Sequence, residues 1–248
     1  MNVTAPSLPR LYREFAGWWP LLSSPAHYAI EAAWYWRVLA EHCQDPALTL
    51  LELGSGGGNN ASFIKQWCAV TLVDLSPAML AVSQELNPEC DHFIGDMRTV
   101  RLGREFDAVM IHDAIMYMTS EADLLRAIST AYVHCRRGGA ALFAPDCTRE
   151  KFQPSTSHGG DDAGLRGMRY LEWTWDPDPA DTWYVTDFAY LLRDSNGAVH
   201  CEQDRHLLGL FPRATWLSLL AHAGFEPLMV DWPGEPGAGA DVFVGVKR

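Results

Sequence analysis

The stretch LELGSGGGNN, residues 51–60, decides the fold prediction. Its apolar start is typical of a buried strand, and four glycines follow within five residues. Because glycine has no Cβ, such a loop lets a ligand approach bare backbone. The stretch therefore predicts a ligand-binding turn between a strand and a helix. The alternative is a turn whose glycines serve only the close packing of helix on strand.

The loop departs from both common phosphate-binding motifs. A dinucleotide fingerprint, G-x-G-x-x-G, would need glycine where Asn59 stands, and a P-loop would need the ending G-K-[ST]. The loop instead has the pattern E-x-G-x-G-x-G from Glu52 to Gly58. Asp74 follows Gly54 by twenty residues, where a carboxylate can accept hydrogen bonds from both hydroxyls of a ribose. NAD and S-adenosylmethionine share that diol, so Asp74 leaves the choice between them open.

The next predicted strand favours S-adenosylmethionine. FIGDM ends in Asp96 and Met97, where a carboxylate can accept from the adenine amine and a methionine can cover the ring. Glu52, just before the glycines, can attract an α-ammonium group. Together these residues predict a loop that holds the aminoacyl and ribose parts of a sulfonium cofactor.

Strand and helix patterns alternate along most of the chain. Strands are predicted in LTLLELG, AVTLVDLS, CDHFIGDM, FDAVMIHDAIMYM and AALFAPD, with helical patterns in NNASFIKQWC, PAMLAVSQELN and EADLLRAISTAYVHCR, the last closed by Gly138-Gly139. This alternation predicts a parallel sheet with helices on both faces. EPLMVDW and ADVFVGVKR, separated by a Gly/Pro-rich turn, predict a final antiparallel hairpin. We expect an α/β protein with a mainly parallel seven-stranded sheet.

We expect one domain over residues 1–248, with an N-terminal helical cap at 1–46 that includes SPAHYAIEAAWYWRVLAEHC. A small antiparallel β lid is predicted as an insertion at 148–205, because GMRYLEWTW, TWYVTDFAYLLRD and AVHCEQDRHLLGLF are β-rich. The turn sequence DSNG predicts a hairpin within it. PRATWLSLLAHAGF then predicts a helix that ends at Gly224.

Composition restricts the partners. The net charge of −12 and the lack of a Lys/Arg cluster argue against nucleic acid and anionic membranes, and favour a cationic or neutral small molecule. Six cysteines without a C-x-x-C pair indicate reduced thiols and no metal site. With neither a signal peptide nor an apolar run of membrane-spanning length, we expect a cytoplasmic protein, either a monomer or a homodimer.

LELGSGGG, LVDLSPAML, GDM and FDAVMIHDAIMYM stand in the order and spacing of the motifs of the class I S-adenosylmethionine-dependent methyltransferases, and most of the chain resembles that family. The resemblance implies a Rossmann-like fold and S-adenosylmethionine as cofactor. The cofactor-binding residues that it implies are Tyr12, Glu52, Gly54, Gly56, Gly58, Asp74, Met79, Asp96, Met97 and His112. Among them Tyr12 would close over the cofactor and Met79 would cover the adenine.

The acceptor is less defined. DRHLLGLFPRATWLSLLAHAGF resembles a segment of small-molecule methyltransferases, including those acting on nucleotide-linked amino sugars. We therefore expect methyl transfer to an N or O nucleophile of a small molecule. Asp113 is predicted to contact the acceptor, with His112 shaping the site and His206 as a second candidate base.

Trp173 and Trp175 alternate onto one face of the predicted lid, and Trp183 and Tyr184 lie nearby. These aromatics would either wall the acceptor pocket or pack the lid on the domain. Tyr117 is equally open between pocket and packing. Two other function classes stay open: a non-catalytic S-adenosylmethionine-binding protein and an NAD-dependent oxidoreductase.

Overall fold

The computed structural model describes residues 8–232 and 240–248. The predicted Gly/Pro-rich turn at 233–239 and the first seven residues lie outside the described residues. The described strands are β1 Thr49–Leu53, β2 Ala69–Asp74, β3 Asp91–Ile94, β4 Phe106–His112, β5 Cys135–Ala144, β6 Ser155–Gly159, β7 Asp162–Ala163, β8 Arg166–Trp175, β9 Trp183–Arg193, β10 Val199–Gly209, β11 Glu226–Asp231 and β12 Asp241–Val246. The described α-helices are α1 Trp19–Leu22, α2 Ala29–His42, α3 Ala61–Ile64, α4 Pro77–Leu86, α5 Glu121–His134 and α6 Arg213–Ala223, with 3-10 helices at Arg10–Tyr12, Ala16–Trp18, Pro25–Tyr28 and Ala114–Tyr117.

The larger sheet has seven strands in the order β11-β12-β5-β4-β1-β2-β3. Strands β1 to β5 pair in parallel, whereas β12 is antiparallel to both β5 and β11. The predicted mainly parallel sheet with an antiparallel C-terminal hairpin is therefore confirmed. The strand order reverses between β1 and β4, and the cleft outside the carboxyl ends of strands at such a point is where open α/β sheets bind ligands.

A second, antiparallel sheet lies in the chain between β5 and α6. Its order is β10-β9-β8-β6, with β7 paired to β8. The three β-rich stretches of the sequence form β8, β9 and β10, while the short polar strands β6 and β7 have no hydrophobic alternation that could predict them. Strand β10 continues to Gly209, four residues past the predicted end of the insertion.

Three predicted helices need correction. The pattern after the glycine loop gives only α3, a single turn, and the helix predicted from Ser24 is divided into a 3-10 turn at Pro25–Tyr28 and the helix α2. Helix α5 ends at His134, and Gly138-Gly139 lie inside β5. A Cβ on Gly139 would lie 2.5 Å from the carbonyl oxygen of Asp107, so this glycine permits close strand pairing and does not end the helix. Helix α6 does end at Gly224, whose φ is 108°.

Apolar clusters cover both faces of the large sheet. On one face Leu124 and Ile128 of α5 pack with Trp216 of α6, and on the other Tyr35 and Leu39 of α2 are buried. A separate cluster joins the N-terminal segment to the second sheet through the following buried side chains: Leu11, Phe15, Leu21, Met168, Tyr190 and Leu192. The second sheet is therefore anchored by the N-terminal segment above the strand ends.

All six cysteines are free thiols. In the part of the chain that the structure describes, no helix has both the length and the apolar character needed to cross a bilayer.

Asp241, the first residue of β12, ties three segments together. It is 0% exposed and accepts hydrogen bonds from Arg213 Nε at 2.7 Å and Thr148 Oγ1 at 2.6 Å, with Lys151 Nζ at 2.7 Å. Burial alone would raise the pKa of this carboxyl, but the hydrogen bonds outweigh it and lower the pKa to about 2. Asp241 therefore stays ionised and fixes α6 and the chain after β5 to the sheet.

We expect Asp241→Asn to lower the free energy of unfolding near neutral pH by about 3 kcal/mol, because removing one partner of a buried ion pair costs on this order. The pKa of Asp241 is depressed in the folded state, so its contribution is complete above about pH 4 and is lost as the pH falls towards about 2. The difference between variant and wild type should shrink over that range. Urea unfolding at several pH values measures it, with the exposed Asp45→Asn as control. Equal stability of Asp241→Asn and wild type would contradict this role.

Candidate functional site

A cavity of about 1500 Å³ lies where the carboxyl ends of β1, β2 and β4 meet. Glu52, Asp74 and His112 line its floor at these strand ends, and Thr186 and His206 line it from the second sheet. A pocket for a single drug-sized ligand has a volume of roughly 300–1000 Å³. The cavity therefore has room for two small molecules side by side.

The glycines after β1 serve different purposes. Gly56 lines the cavity with φ at 53°, and the space that a Cβ would enter is open except for Met79 Cε at 3.7 Å. Gly54 also lines the cavity, and a Cβ there would lie 2.5 Å from Ala114 Cβ. Gly58 does not line the cavity. A Cβ there would lie 2.3 Å from Asn87 Nδ2. Gly58 thus serves packing against the end of α4, the alternative considered for the whole loop.

Asp74 holds the glycine loop in shape. Its Oδ2 accepts from the backbone N–H of Gly56 at 2.8 Å, and its Oδ1 accepts from that of Ser76 at 2.8 Å. Burial raises the pKa of Asp74, against these backbone hydrogen bonds, which lower it. The carboxylate thus fixes the loop and still faces the cavity, where ribose hydroxyls can donate to its remaining lone pairs.

Glu52 is a buried carboxyl group with an unsatisfied oxygen. It is 3% exposed and lines the cavity, and its Oε2 has no hydrogen-bond partner. Burial, followed by the negative charges of Asp74, Glu31 and Asp113, raises its pKa to about 8. A cation placed beside Glu52 would stabilise its ionised form against both burial and the neighbouring negative charges. This position therefore fits the α-ammonium group of the expected cofactor.

The predicted adenine-binding residues are placed unequally. Met97 lines the cavity beside Gly54. Asp96 lines it too, but Arg98 binds both of its carboxylate oxygens, at 3.0 Å from Nε and 2.6 Å from Nη2. Met79 is 0% exposed and lies outside the cavity lining, below Gly56. Arg98, which no motif of the sequence marks, therefore takes up part of the acceptor capacity of Asp96 and pairs with its charge.

Tyr12 lies over the loop as the N-terminal segment crosses the cavity. Its backbone oxygen accepts from Ser76 Oγ, and its hydroxyl is hydrogen-bonded to Tyr117 at 2.9 Å. Trp19, from the same segment, contacts Gly57 and lines the cavity. The sequence contains Trp19 in GWW, but nothing in that pattern identifies which tryptophan faces the loop.

His112 and Asp113 both face the cavity at the end of β4. An extended strand would point them to opposite sides, but Asp113 has φ at 32° and turns the chain. His112 Nε2 consequently lies 2.9 Å from Asp113 Oδ1 and 3.2 Å from Glu31 Oε1. Burial lowers the pKa of His112, so the ring is neutral and donates from Nε2, while Nδ1 accepts from Asn60 at 3.2 Å.

Asp146 follows β5 and forms a side-chain hydrogen bond with Asp113. The side chain of Asp113 is 49% exposed, and this exposure is to the cavity. Burial raises the pKa of Asp113 to about 6, and burial with the Asp113 charge raises that of Asp146 well above its usual range. No motif of the sequence marks Asp146, although carboxylates at the ends of adjacent parallel strands are brought to the same edge of the sheet.

Strand alternation places the two tryptophans of β8 on the face of the second sheet that points away from the cavity. Trp173 and Trp175 stack at 5.8 Å between ring centroids, but neither lines the cavity, and Thr174 does. His200, at the start of β10, is exposed and pairs with Asp194. The interpretation of Trp173 and Trp175 as the acceptor wall is therefore wrong.

His206, by contrast, is 3% exposed and lines the cavity. Its Nε2 lies 3.2 Å from Asp204 Oδ2 and its Nδ1 lies 2.8 Å from the hydroxyl of Tyr117. Both ring nitrogens are thus engaged within the protein.

Known proteins resemble this chain over most of its length. Residues 50–139 match the family model described as a methyltransferase domain. The dTDP-3-amino-3,4,6-trideoxy-α-D-glucopyranose N,N-dimethyltransferase of Streptomyces venezuelae is 26% identical over 202 residues, covering 81% of this chain and 83% of that enzyme. The solved structure of the sugar N-methyltransferase KedS8 from Streptoalloteichus is 28% identical, with a TM-score of 0.82 over 100% of this chain and 97% of that one. The S-adenosylmethionine-bound structure of CalS10, an amino pentose methyltransferase from Micromonospora echinaspora, is 25% identical, with a TM-score of 0.74 over 89% and 92%.

Asp74→Asn should weaken S-adenosylmethionine binding by about 10- to 100-fold, since hydrogen bonds to charged groups contribute about 1.5–3 kcal/mol. Asparagine offers one acceptor oxygen, so it cannot accept from both Gly56 and Ser76. Titration calorimetry measures the affinity, and Asp91→Asn, an exposed residue on the adjacent β3, is the control. Unchanged affinity in a folded Asp74→Asn protein would remove Asp74 from the cofactor site.

Proposed function

We propose that this chain, a class I S-adenosylmethionine-dependent methyltransferase that acts on a small molecule, methylates an amine nitrogen on a sugar-like acceptor. The relatives named above include enzymes that methylate the nitrogen of amino sugars. The observation that carries the proposal for this chain is the carboxyl pair, Asp113 and Asp146, which faces the cavity between the large sheet and the second sheet.

The carboxyl pair holds one negative charge at neutral pH. With a pKa of about 6, Asp113 is ionised, whereas Asp146, whose pKa is raised well above its usual range, keeps its proton and donates it to Asp113. His112 beside them is neutral and does not compensate this charge. An ammonium group would compensate it, and a neutral hydroxyl would not. The carboxyl pair therefore favours an amine over an alcohol as acceptor.

When bound, S-adenosylmethionine supplies an electrophilic methyl group on its sulfonium. The chain's part is positioning: Asp74 and the glycine loop would hold the ribose, and Glu52 the aminoacyl end. Asp113 would orient the acceptor nitrogen towards the methyl group. Holding two reactants at attack distance can contribute roughly 7–11 kcal/mol.

His112 shapes the floor and does not serve as a base in this proposal. Its Nδ1 accepts from Asn60, and its Nε2 proton points at Asp113 and Glu31. It therefore fixes the orientation of the Asp113 carboxylate. Asp113 itself is a poor proton acceptor, because His112 and Asp146 both already donate to it.

We extend the proposal to the setting of the enzyme. Free thiols and a net charge of −12 support a cytoplasmic enzyme that does not bind nucleic acid. A single methyltransferase domain, working as a monomer or homodimer with a lid at 148–205 and a helical cap at 1–46, is part of the same proposal.

Methyl transfer from S-adenosylmethionine carrying a ¹³C-methyl group tests the acceptor. The panel contains an amino sugar, its nucleotide-linked form and the matching sugar with a hydroxyl in place of the amine. We expect the label on nitrogen by NMR and none on the hydroxyl analogue. Asp113→Asn should lower kcat/KM for the amine by about 10- to 100-fold, whereas Asp146→Asn, which still donates a hydrogen bond to Asp113, should retain most activity. Labelled oxygen, or full activity of Asp113→Asn, would contradict the proposal.

A further inference from the structure

A chain of four hydrogen-bonded side chains runs from the cavity into the second sheet. The hydroxyls of Tyr12 and Tyr117 are 2.9 Å apart, Tyr117 lies 2.8 Å from His206 Nδ1, and His206 Nε2 lies 3.2 Å from Asp204 Oδ2. Its members come from the N-terminal segment, the turn after β4, and β10. We propose that this chain is a proton relay, through which Tyr12 takes a proton from the acceptor amine and His206 stores it. The relay rests on the proposed amine acceptor.

The donor and acceptor roles follow from the number of protons that each group carries. Burial opposes ionisation of Asp204, but hydrogen bonds from His206 and from the backbone of Leu11 outweigh it and lower the pKa of Asp204. An ionised carboxylate only accepts, so His206 Nε2 must carry a proton. When His206 is neutral, its Nδ1 is then an acceptor, and the single proton of Tyr117 points to it.

Two arrangements of the same four side chains are therefore possible. In the neutral arrangement Tyr12 donates to Tyr117 and Tyr117 donates to His206, which leaves the hydroxyl of Tyr12, a residue that lines the cavity, free to accept a proton. In the other arrangement Tyr117 donates to Tyr12, a direction that the positions of the two hydroxyls allow. The one proton of Tyr117 is then used, and Nδ1 of His206 must donate as well. This second arrangement is the imidazolium form of His206, paired with Asp204.

The two arrangements differ by one proton. An N–H bond of the acceptor ammonium breaks as an O–H bond forms on Tyr12. Tyr12 passes its former proton to Tyr117, and Tyr117 passes its own to His206 Nδ1. The positive charge that leaves the acceptor nitrogen appears on His206 beside Asp204, so the charge balances. The freed nitrogen lone pair is the nucleophile for the methyl group, and after product release the proton returns through Tyr12 to water in the cavity.

The surroundings suit a relay more than a surface ion pair. Burial raises the pKa of Tyr12 and of Tyr117 well above the usual range, so both hydroxyls stay protonated and pass protons without becoming anions. The other contacts of His206 are the rings of Phe188, at 4.9 Å between centroids, and of Tyr12, at 5.7 Å. Asp204 is the charged group in contact with it among the described residues. Tyr12 would touch the acceptor, and Tyr117, His206 and Asp204 are positioning residues that act through it.

The test separates a proton relay from a purely structural link. Tyr117→Phe removes one hydroxyl from the chain, and Tyr190→Phe is a matched control, because the Tyr190 hydroxyl is buried in the second sheet without a hydrogen-bond partner. We expect Tyr117→Phe to lower kcat for the amine on the order of 10²-fold near pH 6.5, where the acceptor enters as ammonium. S-adenosylmethionine affinity should not change. Near pH 9.5, where the acceptor enters as the free amine, the loss should shrink to less than about threefold.

His206→Gln should show the same dependence on pH, and Tyr190→Phe should match the wild type throughout. A loss of equal size at both pH values would show a structural link and overturn the relay. Full activity of Tyr117→Phe at the lower pH would overturn it as well.

A second measurement does not depend on the acceptor. ¹⁵N NMR of histidine-labelled, ligand-free protein, with His206 assigned through His206→Gln, reports which ring nitrogen carries the proton. At a pH where the His206 ring is neutral, the relay requires its Nε2–H tautomer, with an Nδ1 resonance that shifts in Tyr117→Phe because its hydrogen bond is lost. A neutral Nδ1–H tautomer would overturn the relay. If the wild type methylates only hydroxyl acceptors, the amine proposal fails, and the NMR result alone decides on the relay.

Discussion

Burial of carboxyl groups at one edge of the sheet is the constraint on which the site depends. Strands β1, β2, β4 and β5 end at the same edge of the sheet. At or just after these strand ends, the cavity is lined by four carboxyl groups, those of Glu52, Asp74, Asp113 and Asp146. Burial raises the pKa of Glu52 to about 8 and that of Asp113 to about 6, and it also raises those of Asp74 and Glu31. Because burial disfavours the charge on each of these groups, and neighbouring negative charges further oppose ionisation of Glu52 and Glu31, cationic ligands stabilise the ionised carboxylates of the cavity. A sulfonium cofactor with an α-ammonium group and an amine acceptor are both of this kind.

The cavity is closed by residues that are far apart in the chain. Tyr12, Tyr117 and His206 meet above the strand ends, and the apolar contacts of Leu11 and Phe15 with the second sheet keep them together. The same contacts that anchor the second sheet also complete the proposed relay. Packing of the N-terminal segment and the lining of the cavity are therefore linked in this fold.

The sequence predicted the parallel sheet, its antiparallel hairpin and most of the strands, because hydrophobic periodicity and glycine punctuation are local signals. It also identified Glu52, Gly54, Gly56 and Asp74, which all line the cavity. Motif spacing could not show that Arg98 occupies both oxygens of Asp96, or that Met79 is buried below the loop. Those facts depend on side-chain direction, which the motif leaves open.

Contacts between residues far apart in the chain could not be predicted from the sequence, for a different reason. Tyr117 and His206 lie 89 residues apart, and nothing in either segment specifies that they meet. The pairing of Asp113 with Asp146 requires β4 and β5 to be neighbours and the chain to turn at φ 32°. Alternation also placed Trp173 and Trp175 correctly on one face, but could not tell which face of the second sheet covers the cavity.

The most direct test of whether the buried carboxyl groups bind a cation is calorimetric titration with S-adenosylmethionine near pH 7. The titration is done in two buffers of different ionisation enthalpy. With a pKa of about 8, Glu52 is mostly protonated in the free protein, and a neighbouring ammonium group would favour its ionised form. We predict that binding releases protons to the buffer, that affinity rises with pH up to about 8, and that Glu52→Gln abolishes most of this release. The role of Glu52 in binding a cation would be contradicted by binding without proton release or by release that persists in Glu52→Gln. Binding of NAD in place of S-adenosylmethionine would contradict the choice of cofactor.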